Sequence, residues 1–197
     1  MNVYERILKL LAAVLKMVVD GARDAEEIAT ILQGIVDGAA TKVNAYLRRL
    51  FADQTIEVRV RDNADTLAGA KGVFTGGIFE AKPRGICRQT PKTAVAIYEL
   101  VKDGTFAQIF GGFGENLRRL CLTESQIVAF CRDHPDLLRK GGYDTFFLFE
   151  GEEGNFFVAL VSVGVFGRLR VGVVSLGHGY VWRAKFGHRF VVPQLAA

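Results

Sequence analysis

YDTFFLFEGEEGNFFVALVSVGVFGRLRVGVVSLGHGYVWRAKFGHRFVVP, residues 143 to 193, decides the fold. Runs of β-branched and aromatic residues are separated by EGEEGN, FG, GHG and a turn near Phe186 to His188, which is strand chemistry punctuated by turn chemistry. Five strands are expected, at 143–149, 155–164, 168–176, 180–185 and 189–193. Short loops make neighbours antiparallel, so the simplest product is a meander, either open or curled toward a small barrel.

Upstream the pattern is helical. Thr123 with Gln126 forms a capping box, Leu122 is placed to staple against Ile127, and the helix ESQIVAFCRDH ends before Pro135. Thr90 followed by Pro91 predicts a helix to about Lys102, stopped by Gly104, and Phe106 to Leu120 reads as a short turn and helix. Residues 55–62, TIEVRVRD, alternate as a half-buried strand, and GVFTGGIFEAK adds one or two short strands bent at Gly76 and Gly77.

At the N-terminus, Val3, Ile7, Leu8, Leu11, Val14, Leu15, Val18 and Val19 recur with a helical period up to Gly21. Asp24 and Glu27 then cap a second helix that stops at Gly38. The two make a helical hairpin with apolar surface to spare, so residues 3–38 are expected either to pack on the main domain or to self-associate with a second copy, and a third helix spans 42–52. The fold class is therefore α+β: residues 1–53 as hairpin and third helix, and 54–197 as an α+β domain closed by a five-stranded antiparallel sheet.

Composition bounds the function. Half of the 197 residues are hydrophobic and 23% are charged, which suits a folded domain. The longest charge-free run near the C-terminus, GNFFVALVSVGVFG, is short of the roughly 20 residues a membrane helix needs, so no span is expected and the cytoplasm is the default. Three cysteines, Cys87, Cys121 and Cys131, lack metal or disulfide spacing and read as reduced thiols. The net charge is +4, yet the segment from Gly154 onward holds Arg168, Arg170, Arg183, Lys185 and Arg189 with no acid. That asymmetry points to an anionic partner, nucleic acid or an acidic protein.

The segments IYELVKDGTFAQIFGGFG, LCLTESQIVAFCRDH, GGYDTFFLFEGEEGNFFVALVSV and YVWRAKFGHRFVVPQL resemble a family of uncharacterised proteins from genomes of the bacterial candidate phyla radiation. The likeness covers about residues 97–195 and implies a recurring domain behind variable N-terminal parts in a small-genome bacterium. The family has no assigned activity, so the resemblance carries no functional residue.

Several constellations carry groups capable of chemistry. His178 and His188 flank one turn without a third ligand, so they read as turn residues and neither a metal nor a cofactor is expected. His134, before Pro135, reads as a helix C-cap. Glu80 and Lys82 in IFEAK, with Asp62 or Asp65 upstream, have the loose shape of a metal-dependent nuclease, but so short a triplet arises often by chance and otherwise marks a solvated strand edge. GAKG at 69–72 matches a backbone-clamping loop, which should join two helices. GGFGENL reads as a turn.

The basic sheet is the strongest feature. By alternation, Arg168 and Arg170 share one face of their strand, and Arg183 and Lys185 share one face of the next. If those strands are neighbours, four cations form one patch with Arg189 close by. The plain alternative is that these cations serve solubility and blunt a sheet edge. The functional expectation is a non-enzymatic binding or assembly module offering Arg168, Arg170, Arg183, Lys185 and Arg189 to an anion. The alternative is a metal-dependent nucleic-acid-processing enzyme built on Glu80 and Lys82.

Overall fold

A computed structural model describes residues 3–21, 28, 44–51, 54–60, 66–79, 92–151 and 154–194. The chain divides into two compact units, Met1–Lys42 and Val43–Ala196. In the first, helix α1 spans Val3–Val19 and ends at Gly21, whose φ of 69° is the left-handed stop that glycine adopts without strain. Of the second expected helix only Ile28 is described, and it is helical, so a hairpin is not shown. No helix among the described residues is long and apolar enough to cross a membrane.

The described residues of the second unit form eight strands: β1 (Leu47–Leu50), β2 (Ile56–Val58), β3 (Phe74–Phe79), β4 (Thr93–Leu100), β5 (Asp144–Glu150), β6 (Phe156–Val163), β7 (Leu169–Ser175) and β8 (Arg189–Pro193). They form one sheet in the order β1-β4-β8-β5-β6-β7-β3, with β2 following β1 along the same edge of β4. Most pairs are antiparallel, but β5 with β8 and β3 with β7 are parallel. The sheet does not close: β3 and the β1/β2 edge are its two ends. This overturns the expected five-stranded antiparallel meander or barrel, because the described residues form one mixed sheet carrying few helices.

Three local readings fail for identifiable reasons. Residues 93–100 form β4, not a helix. Both faces of β4 are covered, with Val95 and Ile97 in one core and Tyr98 and Leu100 in the other. A strand buried on both sides shows a continuous apolar run and no period of two. The expected helix at 42–52 contains β1, where Leu47 is buried and Arg48 pairs with its cross-strand neighbour Glu99. Residues 180–185 form no strand, because β7 and β8 run in the same direction and the chain between them must cross the sheet. Its only ladder contact is Trp182 with Gly104, whose amides donate to each other's carbonyls at 2.9 and 3.2 Å.

Two cores sandwich the sheet. On one face helix α3 (Glu124–Asp133) packs Ile127, Val128 and Phe130 onto Phe147, Phe149, Val171 and Val191. The Thr123–Gln126 capping box forms as expected, and Gln126 Nε2 also donates to Thr93 Oγ1 at 2.7 Å, tying the helix start to β4. On the other face helix α2 (Phe106–Gly111), capped by Thr105, sets Phe106 and Phe110 against Phe146 and Phe190. Each fully buried phenylalanine contributes about 1.5–3 kcal/mol by leaving water. Gly112 after α2 is required by contact: a Cβ there would stand 2.6 Å from the Asn44 carboxamide oxygen, and the Asn44 amide holds the Ile109 carbonyl at 2.8 Å.

Candidate anion-binding site on the open sheet face

The face carrying α2 is covered unevenly. Helix α2, a 3-10 turn at Leu117–Leu120 and the crossover through Trp182 lie over β4, β8 and β5. Beyond them, Thr75, Gly76 and Arg170 are exposed, and Ser162 and Gly172 are half-buried. Strand register puts a polar row across this open part, since Asp144 faces Ser162, Ser162 faces Arg170 and Arg170 faces Gly76. At the covered end, the Asp144 amide donates to His188 Nδ1 at 3.3 Å.

Two adjoining hollows lie along the row. One, of about 460 Å³, is lined by Asp144, Leu160, Ser162, Arg170 and Gly172 with Thr75 and Gly76. The other, of about 520 Å³, shares Thr75, Ser162 and Arg170 and runs to Phe166 and Arg168. Phe166 sits in the β6–β7 turn with φ of 59°, followed by Gly167 at 73°, and is 94% exposed. A bulky residue in the left-handed region is strained, and strain of this kind concentrates at functional positions.

The electrostatics are uneven as well. Among the described residues neither Arg168 nor Arg170 meets an acid. Burial pushes the Asp144 carboxyl up to about 6, and burial pushes His188 down to about 4. At neutral pH the histidine is therefore uncharged and the carboxylate is poorly solvated.

The five expected cations do not form one patch. Strands β5 and β6 separate β7 from β8. Arg183 lies in the crossover and pairs with Asp103 at 2.9 Å. The Asp103 carboxyl is lowered first by the Ala184 amide and then by Arg183. Lys185 Nζ stands 5.0 Å from the centre of the Phe186 ring. Arg189 points to the opposite face and donates to the Leu137 and Leu138 carbonyls at 2.6 and 3.4 Å. Only Arg168 and Arg170 share a hollow.

Glu80, Lys82, Asp62 and Asp65 lie outside the described residues. GAKG joins no helices, because it makes a turn bonded to Thr66 and leads into β3. His134 caps α3 as expected, with its Nε2 3.1 Å from the Glu57 carbonyl. Asp144, Ser162 and Phe166 were missed by sequence reasoning. The two hairpin turns, EGEEGN and VFG, carried the signal, for their centres fix the register that lines up 144, 162 and 170. No family model, no curated protein and no solved structure matches this chain.

Proposed function

We propose that the protein is a binding module whose open sheet face, at Arg168 and Arg170, holds the phosphates of a single-stranded nucleic acid. The observation that carries this reading is the pair of exposed, acid-free guanidinium groups in one hollow with the Thr75 and Ser162 hydroxyls and the exposed Phe166 ring. Guanidinium forks bind phosphate oxygens in bidentate fashion, and the Ser162 hydroxyl adds a neutral donor, while the Thr75 hydroxyl donates to the Leu169 carbonyl at 3.2 Å. An exposed aromatic ring beside them offers a stacking surface that tolerates any base.

Fluorescence anisotropy of a labelled single-stranded oligonucleotide tests the proposal. Two phosphate contacts give a slope of log affinity against log salt of roughly −1.4. The double variant Arg168→Ala/Arg170→Ala should lose most binding, whereas Arg183→Ala/Lys185→Ala should bind as the parent does. Absence of binding at low salt, or equal binding by the first double variant, would overturn the proposal.

A further inference from the structure

The acid at the other end of the polar row gives this face a means of choosing between bases, and the inference rests on the phosphate-binding reading above. Asp144 lines the 460 Å³ hollow together with Arg170 and Ser162. Ser162 stands between the two in the register, so acid and guanidinium start two strand spacings apart, about 10 Å. Among the described residues, no group donates to the Asp144 carboxylate; the bond to His188 is made by the backbone amide. His188 beside it cannot supply a proton through Nδ1, because that atom already accepts from the amide. Gly172, opposite Leu160 in the next row, adds no side chain to the floor, which leaves a low apolar surface beside Ser162.

A carboxylate short of donors, facing a hollow large enough for one nucleotide, accepts two parallel N–H groups best. Guanine is the base whose Watson–Crick edge presents two adjacent donors, N1–H and the N2 amino group. We infer that the hollow selects guanine, with the Asp144 carboxylate accepting from N1–H and N2–H while Arg170 holds the phosphate of the same nucleotide. Adenine would turn its N1 acceptor toward the carboxylate, and hypoxanthine would offer only one of the two donors.

Calorimetric titration with 5′-GMP, 5′-IMP and 5′-AMP tests this. The order expected is GMP, IMP, AMP, with GMP preferred over AMP by roughly tenfold or more, the size of a good bidentate contact. Asp144→Asn should bring GMP and AMP within about twofold, since an amide oxygen accepts but its NH2 group repels one donor. Circular dichroism of that variant establishes that it is folded. If the parent binds oligonucleotide but GMP and AMP equally, or if folded Asp144→Asn keeps the preference, the guanine inference fails and the phosphate reading stands. If neither oligonucleotide nor mononucleotide binds at low salt, both fail.

Discussion

The Asp144 amide donates to His188 Nδ1 at 3.3 Å, so the neutral imidazole carries its proton on Nε2. Phe146, Trp182, Tyr143 and Phe186 surround the ring with centroids 5.1, 5.2, 5.9 and 5.9 Å away. Desolvation is the leading cause of both neighbouring shifts, and Arg139 lowers His188 further. Each group is held toward its uncharged form, but one is an acid and the other a base.

Their effects on stability therefore oppose each other. Asp144 keeps its proton in the native state up to about 6 against 3.8 in a free carboxyl, so its contribution is full below 3.8 and is lost as pH rises to about 6. His188 stays neutral down to about 4 against 6.5, so its contribution is full above 6.5 and is lost as pH falls to about 4. Asp144→Asn removes the first effect alone. Its melting temperature should exceed the parent's at about pH 7.5 and fall more steeply between about pH 6.5 and 4. Thermal circular dichroism reads both; parallel curves for the two proteins would rule the opposition out.

The two helix caps differ in what they anchor. Thr105→Ala and Thr123→Ala should each cost about 1 kcal/mol in urea unfolding. Gln126→Ala should cost more than Thr123→Ala, because it removes the reciprocal cap and also the 2.7 Å bond to Thr93 on β4. Equal midpoints for the two variants would show that the tie to the sheet adds nothing.

Phe166 should show opposite signs for stability and binding. Phe166→Gly removes the penalty of a left-handed phenylalanine, about 1 kcal/mol, and sacrifices little burial. The variant should unfold at higher urea and bind the oligonucleotide more weakly. A variant that is less stable, or that binds unchanged, refutes the role given to the turn.

The described thiols should be inert in the native protein. Burial pushes Cys121 up to about 12, with Glu150 adding to it, and burial alone raises Cys131. Iodoacetamide at about pH 8 should leave both unlabelled by peptide mass spectrometry until urea is added. Labelling of Cys131 in the folded protein would contradict its burial.

Local signals were legible in the sequence and long-range ones were not. The Thr123–Gln126 box and the stop at Pro135 depend on residues within one or two turns, and both stand as read. β4 was misread because its apolar residues serve two cores, which erases the alternation that marks a strand exposed on one side. Arg183 looked free until the fold brought Asp103, 80 residues earlier, to within 2.9 Å. The Asp144–Ser162–Arg170 row needs three strands in register, so no single window of sequence contains it.

β8 comes last in the chain among the strands but sits between β4 and β5. A nascent chain that has emerged only as far as β7 has the strands of two half-sheets, β1/β2 with β4 on one side and β5, β6, β7 and β3 on the other, each with an open central edge. Insertion of Arg189–Pro193 joins them, antiparallel to β4 and parallel to β5. Joining the halves thus waits for one late five-residue segment, and until it arrives the two bare edges are where a ribosome-bound chain is most exposed to pairing with its neighbours.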